Sequence, residues 1–188
     1  MTGGEGTMKL GFIGCGNMAQ AMITGILKQN VVSPDELIVS NPHEEKIAKL
    51  KEQFGILTTT DNKKTAKEAE IVVLAVKPQV YPEVIKEIRD EVSTEQIIVT
   101  IAAGVSMAAT ERQFGKEMKI VRVMPNTPAL VGEGMSGLCC NEYVTEEEFD
   151  KVHHIFQSFG KAEKITENLM DAVAVSYTHL RAHETAAN

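Results

Sequence analysis

The sequence predicts an α/β fold: a doubly wound, mainly parallel sheet with helices on both faces. Short apolar runs alternate with amphipathic stretches along most of its 188 residues. Neighbouring strands that run the same way need a crossover of about a dozen residues or more between them, and the amphipathic stretches supply it. Two runs, Ile71–Ala75 and Ile97–Thr100, are almost continuously apolar, as strands covered on both faces are. The first run, Lys9–Ile13, stops at glycines, where a strand can turn sharply into a helix.

The elements follow in order. After the strand Lys9–Ile13, Met18–Gln29 is a helix with Met22, Ile23, Ile26 and Leu27 on one face. Leu37–Val39 is the second strand. Pro42 is expected at the first position of the next helix, where its missing N–H costs nothing. That helix carries Ile47, Leu50 and Phe54 and stops at Gly55. Ile56–Thr58 is a weak strand, and Asp61 caps a short charged helix to Ala69. Beyond the strand Ile71–Ala75, Pro78 begins a crossover whose stripe is Val80, Val84, Ile85 and Ile88. The strand Ile97–Thr100 leads to a helix over Ser106–Phe114 and a strand over Ile120–Met124. A loop rich in Pro, Asn and Gly spans Pro125–Gly134, and Gly137–Cys140 is a further candidate strand. Thr145 and Glu148 form a capping box for a helix reaching Phe159, and Ala162–Ile165 is a last short strand. No fixed-period repeat or linker divides the first 165 residues.

Composition narrows the class of function. At 43% hydrophobic and 24% charged, the chain is neither disordered nor fibrous. Its longest strongly apolar run, Ile71–Val76, is far short of the roughly 18 residues a membrane span needs. A net charge of −7 argues against nonspecific binding to nucleic acid or to an anionic membrane. It leaves room for an anionic ligand, because amides at a helix start bind one without lysine. Cys15, Cys139 and Cys140 are an odd count with one vicinal pair, which reads as free thiols in a reducing compartment. Met1–Thr7 is glycine-rich and lacks the apolar centre of a signal peptide, so a cytoplasmic protein is expected, with Met8 a second candidate start.

The chemistry concentrates at Leu10-Gly11-Phe12-Ile13-Gly14-Cys15-Gly16-Asn17-Met18-Ala19. Gly14, Gly16 and Ala19 fit G-x-G-x-x-G/A at the first strand–helix junction, the fingerprint of a Rossmann-type dinucleotide site. Gly14 serves the turn, Gly16 leaves room for a pyrophosphate, and Ala19 lets the helix lie close to the strand. An enzyme that prefers NAD carries Asp or Glu at the tip of the second strand. Here that tip reads Ser40-Asn41-Pro42-His43 with Lys46 beyond, which favours NADPH, with NADH as a possible second cofactor. The tips Ala75-Val76-Lys77-Pro78 and Ile101-Ala102-Ala103 are candidate nicotinamide contacts. His153 and His154 face apart, and His179 and His183 lack a third ligand, so no metal site is expected.

Four segments together resemble pyrroline-5-carboxylate reductase. They are Gly11–Ala19, Leu74-Ala75-Val76-Lys77-Pro78-Gln79, Ile101-Ala102-Ala103-Gly104, and Arg122-Val123-Met124-Pro125-Asn126-Thr127-Pro128 with its continuation to Gly134. The match runs over residues 8 to about 173, and its Met-Pro-Asn-Thr-Pro segment is far more specific than the glycines. The resemblance implies reduction of the imine 1-pyrroline-5-carboxylate to L-proline with NAD(P)H, the last step of proline biosynthesis. It places the cofactor on Ile13, Gly14, Cys15, Gly16, Asn17 and Met18, then on Asn41 and Asn62. It continues the site through Ala75–Pro78 and Ile101–Ala103, and puts Glu167 near the substrate. The family's basic residue after Asn41 is replaced by Pro42, with His43 as a substitute. No residue is assigned the proton-donor role.

Residues 8–173 are thus expected to form the NAD(P)-binding domain. From Ala174 the chain departs from the family, whose Ser-Gly-Ser-Gly-Pro-Ala-Tyr-like stretch opens a helical, dimerising domain. Residues 174–188 read as a truncation or assembly artefact, so the chain is expected to be an inactive fragment of a homo-oligomeric enzyme. Two alternatives remain open at this point: another NADP-dependent oxidoreductase of the same superfamily, and a non-catalytic NADP-binding regulatory paralogue.

Overall fold

The computed structural model describes residues 9–125, 134–158 and 160–172. The first half alternates strictly: β1 (Leu10–Ile13), α1 (Asn17–Lys28), β2 (Leu37–Ser40), α2 (Glu44–Phe54), β3 (Leu57–Thr59) and α3 (Asn62–Glu68). Then come β4 (Ile71–Leu74), a 3₁₀ turn (Pro78–Val80), α4 (Tyr81–Ile88), β5 (Ile97–Thr100), α5 (Met107–Phe114) and β6 (Lys119–Pro125). The remainder is β7 (Gly134–Cys140), α6 (Glu146–Gln157), β8 (Gly160–Lys164) and a helical stretch over residues 167–172.

The eight strands lie in the order β3-β2-β1-β4-β5-β6-β7-β8. β1 to β6 pair in parallel. β7 pairs antiparallel with β6, and β8 runs parallel to β7. The expected mainly parallel, doubly wound sheet is therefore the observed one. The strand order reverses between β1 and β4, so their carboxyl ends open a crevice there.

Side chains alternate across each strand and divide the core in two. Leu10, Phe12, Val73 and Val99 face α1, α2 and α6, while Ile13, Val72, Leu74 and Ile98 face α3, α4 and α5. The four-residue strands β1, β2, β4 and β5 are buried at every position, which explains their apolar sequences; Ser40 and Thr100, the last residues of β2 and β5, are the polar exceptions.

Several boundaries shift from expectation by one to three residues, and three of the differences bear on the sheet and its helices. Pro42 does not open α2. His43 takes the N-cap, and Asn41 Oδ1 accepts from the His43 amide at 2.9 Å, so an Asx turn precedes the helix. β7 begins three residues earlier than Gly137, because Ser136 pairs with Pro125 of β6 and Gly134 and Met135 pair with Gly160 and Lys161 of β8. α6 ends at Gln157, two residues before Phe159, which lies outside the described residues. The caps read from sequence are present: Asp61 accepts from the Lys63 amide, and Gly55 ends α2 in the left-handed region. Ser106, expected inside its helix, is instead the N-cap of α5 and accepts from the Ala109 amide.

Candidate functional site

The crevice between β1 and β4 deepens into a cleft of about 420 Å³, within the size range of small-molecule sites. The start of α1 contributes Gly16, Asn17, Met18 and Ala19. Ala75, Val76, Lys77 and Pro78 follow β4, and Ile101, Ala102 and Ala103 follow β5. Val123, Met124 and Pro125 of β6 complete the wall. Ten of the residues singled out from sequence thus converge on one cavity from three separate segments.

The turn into α1 is built by Gly14. Its φ of +103° is disfavoured for L side chains, and a Cβ there would stand 2.5 Å from the Ala75 carbonyl oxygen. Its amide donates to the Ser40 carbonyl at 2.9 Å. Ile13, Gly14 and Cys15 are buried beneath this turn. Burial raises the Cys15 thiol pKa, and the nearby Lys46 ammonium partly offsets the rise.

Gly16 differs from Gly14. Its φ of −68° suits any residue, and a Cβ there would meet nothing within 4 Å. The described chain therefore imposes no glycine at this position, while a ligand approaching the backbone would. Gly16 also caps α1 with no side-chain hydrogen bond, and the first turn carries no acid. Each of α2 to α6 has either a side-chain cap or an acidic first turn. The free amides at the start of α1 and their positive dipole end lie in the wall of the cleft, so the residues fit a dinucleotide.

The second-strand tip holds fewer free donors than its sequence offers. Ser40 is buried, and its hydroxyl donates to Asn62 Oδ1 at 2.8 Å. Asn62 is thereby oriented, and its own amide group donates to Glu87 at 3.3 Å. Asn41 is half-buried, and His43 and Lys46 are exposed.

Glu167 is not among the residues lining the cleft. Its Oε1 accepts from the Met107 amide at 2.8 Å and from Arg122 Nη1 at 3.0 Å. Arg122 Nη2 donates to Asp171 at 2.9 Å, and Arg122 is 1% exposed. One arginine thus bridges two carboxylates four residues apart and ties residues 167–172 to β6. Cys139 lies in the same region, and burial, reinforced by the Glu167 carboxylate, pushes its thiol up to about 11. His153 contacts the Ala162 carbonyl and stacks on Phe149, a packing role. His179 and His183 lie outside the described residues.

Sequence reading missed Tyr81, whose hydroxyl donates to the Leu74 carbonyl at 2.6 Å and accepts from the Ile101 amide at 3.3 Å. Nothing in the sequence marks it, since its partners meet only when β4 and β5 pair. Val123, Met124 and Pro125 were quoted for their resemblance but given no place in the site.

A doubly wound sheet with an uncapped helix start over a cleft at its switch point defines a Rossmann-type domain of the dinucleotide-binding class. A family model described as NADP oxidoreductase, coenzyme F420-dependent, matches residues 9–104. The structure superposes on a pyrroline-5-carboxylate reductase from Coxiella burnetii with a TM-score of 0.86 and 34% identity, over 96% of this chain and 70% of that one. The chain belongs to the pyrroline-5-carboxylate reductase family. The Plasmodium falciparum pyrroline carboxylate reductase, solved with NADP bound, gives a TM-score of 0.79 at 30% identity, over 96% of this chain and 68% of that one. The Escherichia coli K12 pyrroline-5-carboxylate reductase is 41% identical over 165 residues, 88% of this chain and 61% of the relative. The chain therefore spans about three fifths of the length of the curated relatives it matches. No described helix is long and apolar enough to cross a membrane.

Proposed function

We propose that residues 8–173 form the cofactor-binding part of a cytoplasmic, homo-oligomeric enzyme that reduces 1-pyrroline-5-carboxylate to L-proline with NADPH. The observation that carries this reading is Gly16. Open space above an uncapped helix start, in the wall of a cleft, is where a pyrophosphate would lie.

The start of α1 would hold the diphosphate with backbone amides, which asks for no lysine and is consistent with a chain of net charge −7. The Asn41 side-chain amide, His43 and Lys46 would face a 2′-phosphate, where no acid stands at the strand tip to repel it. Ser40 and Asn62 would act there by orienting the tip through their mutual bond. Ala75–Pro78 and Ile101–Ala103 would flank the nicotinamide. Val123, Met124 and Pro125 would keep that end of the cleft apolar. When bound, NADPH supplies a hydride for the imine carbon. The chain's contribution is to hold the two reacting centres in register. Glu167 would lie at the substrate side, fixed by Arg122 and the Met107 amide.

The chain contains no Trp, so titration can follow the cofactor's own fluorescence. These 188 residues are expected to bind NADPH more tightly than NADH. A chain spanning the full length of the relatives is expected to form proline from 1-pyrroline-5-carboxylate. Absence of NADPH binding overturns the proposal.

A further inference from the structure

We propose that Tyr81 is a positioning residue for the nicotinamide half of the cofactor, acting by tying together the two strand tips that flank it. This rests on the dinucleotide reading of the cleft. Tyr81 is the first residue of α4, and its side chain is 1% exposed, so it acts only through its partners. Leu74 is the last residue of β4, immediately before Ala75–Pro78. The 2.6 Å bond from the Tyr81 hydroxyl to the Leu74 carbonyl therefore closes the segment 75–80 end to end.

The same oxygen accepts from the Ile101 amide, the first residue beyond β5, and also faces the Ala102 amide. Ile101 and Ala102 line the cleft opposite Ala75–Pro78. A phenol offers one donor and two acceptor positions, enough for this bridge. Burial pushes the hydroxyl up to about 12, opposed by the Ile101 and Ala102 amides, so it stays a neutral donor and acceptor near pH 7. The start of α1 and the β2 tip, which would hold the diphosphate and the adenosine ribose, are not tied by this group. The predicted effect is consequently confined to one half of the ligand.

The test is Tyr81→Phe, which keeps the buried ring and removes only the bridge. Two ligands are titrated: NADPH, and 2′-phospho-ADP-ribose, which lacks the nicotinamide. Y81F is expected to weaken NADPH binding about three- to tenfold, the scale of one lost hydrogen bond, and to leave 2′-phospho-ADP-ribose within about twofold. Amide hydrogen exchange at Ile101 and Ala102 should accelerate in the variant. Equal NADPH affinity in both proteins overturns the inference, as does an equal loss for both ligands. If the unmodified chain binds neither ligand, the cleft reading falls and this inference with it. Should Y81F fail to fold, exchange in the unmodified chain decides: an Ile101 amide as labile as the exposed Ala103 amide overturns the tie.

Discussion

α1 and α6 are both twelve residues long, and both bury an apolar stripe against the same face of the sheet. They differ at their starts. Thr145 Oγ1 accepts from the Glu148 amide at 3.2 Å, and Glu148 accepts from the Thr145 amide at 3.1 Å. Glu146, Glu147 and Glu148 set three acids against the helix dipole. α1 has neither device. The sheet explains where each start lies. β7 runs backward, with Cys140 opposite Val121, so α6 begins at the edge away from the cleft while α1 begins in its wall. One start completes itself within the chain, and the other leaves its amides without a side-chain cap, as the proposed diphosphate site requires.

The largest effect should come from breaking the turn that aims α1. Gly14→Ala forces a Cβ onto the Ala75 carbonyl at a positive φ, and is expected to cost about 3 kcal/mol or more in thermal or denaturant unfolding. Unchanged stability would remove the steric account of the turn. Gly16→Val should divide stability from binding. A Cβ has room there, so unfolding should shift by only about 1 kcal/mol, the scale of placing a poor N-cap residue, while NADPH affinity drops by roughly 100-fold or more. Equal affinities for both chains would move the pyrophosphate elsewhere.

At α6 the pattern should invert. Thr145→Ala is expected to lower stability by about 1 kcal/mol and leave NADPH affinity untouched. Glu148 adds a pH signature. Burial opposes its ionisation, but the Lys119 ammonium at 2.7 Å and the Thr145 amide and hydroxyl outweigh it and hold the carboxyl below its ordinary value. A depressed folded-state pKa stabilises above the unfolded value near 4.5 and ceases to do so as pH falls through the folded one. The stability gap between the chain and its Glu148→Gln variant should therefore close on acidification below about pH 4.5. A gap that widens there would contradict the assignment. The smallest effect is Asn17→Asp, which gives α1 the acid it lacks. It should stabilise the free protein by about 0.3–1 kcal/mol and weaken NADPH binding, read in paired unfolding and titration curves.

Legibility followed the range of the interactions. Asp61 and the Thr145–Glu148 box were readable because each cap closes within three residues. The Gly14–Ala19 turn was readable because strand, turn and helix are contiguous. Arg122 stood in a recognised strand, yet its partners lie 45 and 49 residues away, so its burial left no local trace. The hydroxyl of Ser40 looked free at a strand tip until Asn62, 22 residues on, took it. Gly134, Met135 and Ser136 carry no strand pattern and are held in β7 by β8, with Ser136 also paired to Pro125 of β6.

The contact between Gly14 and Ala75 has a thermodynamic consequence. The Gly14 amide is fixed to β2, the Ala75 amide donates to the Ile13 carbonyl at 2.8 Å, and no side chain separates the two segments. In the proposed site, the turn that would receive the ligand is seated before any ligand arrives. Ordering entropy, which often erodes the affinity of flexible binding loops, is already lost during folding for these residues. Association at the proposed site would then be a docking onto a surface already in place, and the heat of binding is expected to report contacts and displaced water with little contribution from ordering this turn.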